Sequence, residues 1–128
     1  MMEVLSSRVL LHPTDLERSR AFYRDALGLA IFREFGTGPS RGTVFFLGGG
    51  YLEISGQPVG PPVPGVNLWL QVRDLTATRR DLAKAGVQVL REPEREPWGL
   101  LEMWIADPDG VRICVVEIPP DHPLRHRA

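Results

Sequence analysis

Two histidines in the last part of the chain have the spacing of a metal-binding pair. His122 and His126 are four residues apart, and on a helix that spacing places both imidazoles on one face. Pro123 lies between them and disfavours a helix, because it lacks a backbone N–H. The sequence therefore predicts an irregular tail over residues 119–128 and no preformed metal pair within it.

The single cysteine, Cys114, has two candidate roles. A catalytic thiol needs a neighbouring base to lower its pKa, and no motif places a histidine beside Cys114. A small buried side chain is the favoured interpretation. One cysteine also excludes an internal disulfide, and the N-terminal residues lack a signal-peptide pattern, so we expect a cytoplasmic protein.

The three tryptophans could bind an aromatic ligand, because an indole offers a large apolar surface and one N–H donor. Trp69, Trp98 and Trp104 could instead be core or dimer-interface residues, and both roles stay open. His12 also has two candidate roles. It is either a cleft residue on the same strand face as Arg8, or the end of that strand before a proline.

Two halves of the chain repeat one order of elements: a strand, an Asp-Leu pair, a helix, a glycine and further strands. Asp15 precedes the first helix, and Asp74 precedes the second, 59 residues later. Gly28 and Gly86 end the two helices and are 58 residues apart. Two similar half-domains usually share one core and face each other across a cleft, so we expect ligand-contacting residues in both.

Apolar periodicity and turn residues predict the individual elements. Strands are expected over 8–12, 30–35, 43–47, 51–55, 66–72, 88–91, 101–106 and 111–118, and helices over 16–26 and 75–85. A capping box of Thr14 and Glu17 opens the first helix. The glycines of 48–50 predict a hairpin turn and not a phosphate-binding loop, because no helix follows them. Two prolines predict a loop over 92–99, and a tight turn is expected over 107–110.

The composition bounds the fold and the partners. A chain of 128 residues, 43% of them hydrophobic, can build one hydrophobic core. We expect a single domain made of module one (about 1–56), a proline-rich connector (57–65) and module two (about 66–118). A net charge of −1 gives no electrostatic case for nucleic acid or a membrane surface. The expected fold class is α+β, with two paired βαβββ modules forming a curved mixed-sheet cup.

Two motifs, in order on this repeat, carry a family resemblance. The segment 15–28 has the pattern DL…S..FY…LG, and Asp107-Pro108-Asp109-Gly110 follows near the end. The chain thereby resembles the vicinal oxygen chelate superfamily, which includes glyoxalase I, extradiol dioxygenases, fosfomycin-modifying enzymes and bleomycin-resistance proteins. The resemblance implies the paired-module fold and leaves the chemistry open, because members with very different activities share these motifs.

In metal-using members, the resemblance implies one ligand on the first and one on the last strand of each module, supplied by His, Glu or Gln. Those positions here hold Arg8, Glu53, Asn67 and Cys114. Only Glu53 is a usual ligand, since arginine cannot coordinate a cation and an asparagine oxygen is weak. We therefore expect neither a metal nor another cofactor.

Arg8 and Glu53 belong to the same module, so we expect a guanidinium–carboxylate pair in the place of the ion. Burying two charges costs several kcal/mol, which a well-formed pair only roughly offsets. The pair is therefore either closed and structural, or partly open to a polar group of a ligand.

A narrower resemblance, to the bleomycin-resistance branch, is carried by Pro97-Trp98-Gly99 before Glu102, and by residues 68–75. The resemblance implies a protein that sequesters a drug in a cleft of a dimer, without a metal and without catalysing a reaction. Met103 replaces the branch's aromatic residue, and this chain is close to neutral where the branch is acidic. A planar or amphipathic organic ligand is therefore expected, and bleomycin itself is not.

Two function classes remain. The first is a metal-independent protein that binds or sequesters a small molecule; the alternative is a lyase or dioxygenase with an atypical metal site. We expect a homodimer, because apolar strand residues such as Val44, Phe46 and Leu52 need a partner. The candidate ligand-binding residues are Arg8, His12, Glu53, Asn67, Trp69, Gln71, Trp98, Glu102, Trp104 and Cys114.

Overall fold

The computed structural model describes residues 1–58 and 60–126, so Val59 of the predicted connector and residues 127–128 of the predicted tail lie outside the described residues. The strands are β1 (Arg8–Leu11), β2 (Ile31–Phe35), β3 (Gly42–Leu47), β4 (Gly50–Ser55), β5 (Leu68–Gln71), β6 (Gln88–Arg95), β7 (Leu101–Ala106) and β8 (Arg112–Glu117). The helices are α1 (Leu16–Ala21), continued by a π-helical turn (Phe22–Ala26), and α2 (Leu75–Lys84). Short 3₁₀ turns cover Gly38–Ser40 and Pro123–His126. None of the helices in these ranges is long and apolar enough to cross a membrane.

The predicted repeat is present as two four-stranded mixed sheets of equivalent topology. The strand order is β1-β4-β3-β2 in one sheet and β5-β8-β7-β6 in the other. In each sheet the first strand is parallel to the last, and the remaining pairs are antiparallel. The fold class is therefore α+β, as expected.

The chain divides into two compact units, Met1–Pro61 and Pro62–Ala128. In the first unit, helix α1 contacts β4, and Tyr23 packs its ring 6.2 Å from that of Phe45. Both side chains are fully buried. In the second unit, α2 contacts β6 and β8 and buries Leu75 and Leu82. Each sheet thus has one face covered by a helix and an opposite face, which we call its distal face.

Several predicted boundaries were wrong for physical reasons. Strand β6 continues to Arg95 through the predicted loop, because register shifts beside Pro93 place it where no ladder N–H is required. The first helix is capped by Asp15, whose side chain accepts from the Arg18 N–H, and not by Thr14. The strand predicted over 66–72 is shorter and begins at Leu68.

The tail is more ordered than predicted, because its turn over Pro123–His126 is held by His122. The Leu124 N–H donates to Nδ1 of His122 (3.2 Å), and the His122 N–H donates to the Pro119 carbonyl (3.0 Å). The two short hairpin turns were predicted correctly. Residues 48–49 connect β3 to β4, and the Gly110 N–H closes the later turn on the Asp107 carbonyl (3.0 Å).

Candidate functional site

The distal face of the first sheet combines charged and aromatic side chains. Residues paired in register lie on the same face of a sheet. Arg8, Tyr51 and Phe46 form one such row across three strands. Leu10, Glu53, Val44 and Arg33 form the next row, and Ser55 pairs with Gly42 in the row beyond it.

The expected Arg8–Glu53 ion pair is present on this face. Arg8 Nη1 donates to Glu53 Oε1 at 2.8 Å, and Ser55 Oγ donates to Glu53 Oε2 at 2.6 Å. The hydrogen bond from Ser55, together with the Arg8 guanidinium, holds the pKa of Glu53 below its usual value against the opposing effect of burial. Both carboxylate oxygens of Glu53 are thus engaged by donors of the protein.

His12 lies at the end of β1, beside this pair. Its Nδ1 is 2.7 Å from the Ser55 carbonyl oxygen. A carbonyl oxygen can only accept, so Nδ1 carries the proton and donates to it. His12 is therefore linked through Ser55 to Glu53, which places three of the predicted site residues in one network.

Three aromatic rings lie next to the ion pair. The ring centroids of Phe32 and Phe46 are 5.1 Å apart, and those of Phe32 and Tyr51 are 4.9 Å apart. Phe32 and Phe46 are each 44% exposed. The Arg8 guanidinium lies 5.9 Å from the Tyr51 ring centroid and joins the rings to the ion pair. We call Phe32, Phe46 and Tyr51 the aromatic surface.

The distal face of the second sheet carries most of the other predicted residues. Trp69, Cys114, Trp104 and Arg91 are register partners across β5, β8, β7 and β6. Gln71, Val116 and Glu102 form the next row. Asn67 was predicted to lie within the first strand of this module. It is exposed and directly precedes β5, which begins at Leu68.

Glu102 organises the second distal face although it is only 6% exposed. Trp98 Nε1 donates to its Oε2 at 2.8 Å, and the Cys114 thiol lies 3.5 Å from its Oε1. Arg91 Nη2 donates to its backbone oxygen at 2.9 Å. Burial, and then the Glu102 charge, raise the pKa of Cys114 to about 12, which agrees with an inert thiol.

Trp98 is 58% exposed and yet held in place at both ends. Its indole binds Glu102, and its carbonyl oxygen accepts from His122 Nε2 at 2.9 Å. Trp69 is exposed, whereas the Trp104 ring packs on the buried cluster and lies 5.2 Å from the Arg112 guanidinium. Of the three tryptophans, Trp69 and Trp98 are therefore the two with exposed rings.

The family's metal positions do not fit a metal here. Arg8 has only N–H donors, and both oxygens of Glu53 already accept hydrogen bonds. Cys114 is a lone buried thiol beside the Glu102 carboxylate, and one thiol with one carboxylate does not resemble the nitrogen and oxygen donor set of this fold. Among the described residues, no three or more His, Cys, Asp or Glu side chains form a group that could hold an ion.

Sequence reasoning missed Ser55, Arg33 and Arg91. The two arginines had a usable signal: Ile31-Phe32-Arg33 and Val89-Leu90-Arg91 are 58 residues apart, the same offset as the two helix-ending glycines. The role of Ser55 depends on the conformation of one hydroxyl group and had no signal in the sequence.

Each sheet, together with the helix that follows its first strand, is one βαβββ module. The protein therefore consists of two such modules. The chain belongs to the glyoxalase/bleomycin resistance protein/dioxygenase superfamily, whose sequence model matches residues 7–115. No curated protein matches the chain significantly.

Solved structures with the same fold are numerous. A superfamily member from Sphaerobacter thermophilus DSM 20745 is 25% identical, with a TM-score of 0.75 over 91% of this chain and 99% of that one. A glyoxalase-related enzyme from Fulvimarina pelagi is 25% identical, with a TM-score of 0.72 over 92% and 90%. TnmS3, an antibiotic-binding protein from Streptomyces sp. CB03234, is 21% identical, with a TM-score of 0.77 over 93% and 99%.

Proposed function

We propose that this protein binds and sequesters a planar or amphipathic organic molecule without using a metal. One observation carries the proposal. Glu53 is the only usual ligand at the family's metal positions, and both of its carboxylate oxygens accept hydrogen bonds, from Arg8 and Ser55, beside an exposed aromatic surface. A carboxylate whose oxygens already accept hydrogen bonds favours polar contacts over Lewis-acid chemistry at a metal. Exposed aromatic rings favour stacking with a planar ligand.

Exposed aromatic side chains on both distal faces support the proposal. A soluble surface normally has few large aromatic residues exposed side by side, and such patches mark binding sites. Phe32 and Phe46 on the first face, and Trp69 and Trp98 on the second, are all exposed. TnmS3 shares the fold and binds an antibiotic, so the fold is compatible with small-molecule binding.

We also propose that the chain is a single domain and acts in the cytoplasm.

Metal analysis and a dye titration test the proposal together. The purified protein is expected to contain substoichiometric Ni, Zn, Mn and Fe, and calorimetry with each ion should show no binding. The neutral planar dye N-phenyl-1-naphthylamine should bind with saturable fluorescence, and Phe46→Ala should weaken that binding. A stoichiometric transition metal whose binding is lost in Glu53→Ala would replace this proposal with a lyase or dioxygenase that has an atypical site.

The second face has its own variants. Trp69→Ala should weaken dye binding by roughly 1–3 kcal/mol if the indole is a stacking wall. Trp98→Ala should do the same, but it also removes a hydrogen bond from Glu102 and should lower thermal stability. Val66→Ala is a matched control, because Val66 is an exposed apolar residue outside the strand. Unchanged affinity in Trp69→Ala and Trp98→Ala would remove the second face from the proposal.

A further inference from the structure

The two sheets share a bulge that places an arginine on each distal face. In the first sheet, Ile31 pairs with Phe45, and the register then shifts so that Arg33 pairs with Val44. In the second sheet, Val89 pairs with Ile105, and after the same shift Arg91 pairs with Trp104. Each bulge adds one residue and turns the following arginine to the face opposite the helix.

The arginine of the second module binds carboxylates. Arg91 forms an ion pair through Nη2 with Glu96, which is largely buried, and its Nε lies 3.5 Å from Glu94 Oε2. The hydrogen bond from the same guanidinium to the Glu102 backbone oxygen fixes its orientation. Within this molecule, the bulge arginine is thus a carboxylate-binding residue.

The equivalent arginine of the first module has no such partner. Within residues 1–58 and 60–126, the Arg33 side chain makes no ion pair or hydrogen bond, and its guanidinium lies 5.5 Å from the Phe35 ring centroid. Glu53 on the same face is already bound by Arg8 and Ser55. The neighbouring Glu34 is already bound by Arg20. The charges of Arg8 and Glu53 cancel, so Arg33 leaves this face with a net positive charge.

Arg33 also lies beside the aromatic surface. Phe32 is its neighbour in the bulge, and Phe46 lies one row away on β3. Adjacent rows of a sheet face are about 7 Å apart, since a strand rises about 3.4 Å per residue. A bicyclic aromatic ring bearing one carboxylate can span that distance, with the ring on the phenylalanines and the acid at the guanidinium.

We propose that Arg33 binds the carboxylate of a planar aromatic acid whose ring stacks on Phe32, Phe46 and Tyr51. The inference rests on the proposed function and names its ligand class. The ligand carboxylate takes the place at Arg33 that Glu96 takes at Arg91 in the second module. The planar guanidinium suits this role, because it can bind a carboxylate through two parallel hydrogen bonds.

A pair of matched probes tests the inference by calorimetry. 2-Naphthoate and 2-naphthamide have the same ring system, and only the first is an anion. The wild-type protein should bind 2-naphthoate about tenfold more tightly than 2-naphthamide. Arg33→Gln should abolish that preference, because it lowers the affinity for 2-naphthoate much more than that for 2-naphthamide, whereas Arg33→Lys should retain part of the preference. Arg80→Gln is the control, because Arg80 is an exposed arginine on α2 in the other unit.

The outcomes separate this inference from the proposed function. If the wild-type protein binds both probes equally, or if Arg33→Gln retains the preference, the assignment of Arg33 is wrong and the binding function stands. If neither probe binds and the neutral dye also fails to bind, the proposed function is wrong and the inference fails with it. Circular dichroism of each variant identifies a loss of affinity that comes from misfolding.

Discussion

At the scale of single residues, Glu53 makes polar contacts at a position where the family resemblance implies a metal ligand. The carboxylate keeps its place on the last strand of the first module, and its two oxygens accept from Arg8 and Ser55. The Arg8 side chain is 36% exposed and that of Glu53 is 13% exposed, so water still reaches the pair. Solvent screening therefore limits what the pair contributes to stability.

A double-mutant cycle measures that contribution. Glu53→Ala should lower the free energy of unfolding by about 1–2 kcal/mol, because two donors lose their acceptor. The same substitution in an Arg8→Ala background should cost distinctly less, and urea denaturation of the four proteins gives the coupling energy. A coupling energy near zero would mean that the interaction between Arg8 and Glu53 does not stabilise the folded protein. Ser55→Ala, which removes the other donor, is the matched comparison.

Cys114 should be unreactive in the native protein. Burial and the Glu102 carboxylate raise its pKa from 9.0 to about 12, which lowers the thiolate fraction at neutral pH about a thousandfold. Labelling with 5,5′-dithiobis(2-nitrobenzoate) at pH 8 should therefore be far slower in the folded protein than in 6 M guanidinium chloride. Glu102→Gln should speed the reaction by removing the neighbouring charge. Labelling at the same rate in folded and unfolded protein would contradict the assignment.

Residue roles could be predicted from the sequence where a motif gives the position of the residue. The Arg8–Glu53 pair was predictable because family resemblance gave both positions, and a small buried Cys114 was favoured because no motif places a base beside it to make it a nucleophile. Arg33 was not predicted, because its orientation depends on a bulge and a one-residue shift reverses the face of a strand residue. The roles of the tryptophans in binding stay predictions.

At the scale of elements, alternation and turn residues fixed most of the sheets. Strand β7 (Leu101–Ala106) was predicted with its observed bounds. Strand β6 was cut short in the prediction because proline usually ends a strand, whereas two irregularities in its pairing accommodate Pro93. Long-range pairing decided that boundary, and local pattern could not.

Strand β3 begins at a glycine that makes room for the polar network. A Cβ at Gly42 would overlap the Phe35 ring and lie 2.8 Å from Ser55 Cβ. The Ser55 backbone is held in β4, so relief requires a shift of the strand that also holds Glu53. The glycine therefore leaves room for the Phe35 ring and for Ser55, which donates to the carboxylate.

Gly42→Ala should consequently destabilise the protein by about 1–3 kcal/mol, because overpacking displaces buried neighbours. It should also weaken binding of 2-naphthoate, since a shift of β4 moves Tyr51 of the aromatic surface together with Ser55. Gly49→Ala is the control, because a Cβ there meets nothing within 4 Å and Gly49 does not have a positive φ. Thermal unfolding followed by circular dichroism compares the two variants. Equal melting temperatures would show that the network does not need the glycine.

At the scale of the whole molecule, the two modules have kept one backbone plan and different side chains. Both sheets have the same strand order and the same bulge. The first distal face carries phenylalanines and an arginine without an acidic partner, whereas the second carries tryptophans arranged around a buried carboxylate. A net charge of −1 hides this difference, because the charges are divided unevenly between local networks.

The basis for the expected homodimer changes with the structure. Leu52 pairs with Phe45 on the helix-covered side, and both Leu52 and Val44 are fully buried, so neither residue is available to a partner. Strand β1 instead forms one edge of its sheet and pairs only with β4. Its Val9 is 39% exposed, and Leu10 is exposed beside it. An edge strand with exposed apolar side chains is suited to pairing with a second chain.

We therefore propose a homodimer that uses the β1 edge, and sedimentation velocity at micromolar concentration should give the mass of two chains. Val9→Lys should shift the population to monomer, because a lysine on an edge strand disfavours pairing of strand with strand. Val63→Lys is the control, since Val63 is exposed in the connector between the modules and lies outside the sheets. A wild-type monomer at these concentrations would contradict the dimer. A dimer that persists in Val9→Lys would place the interface away from β1.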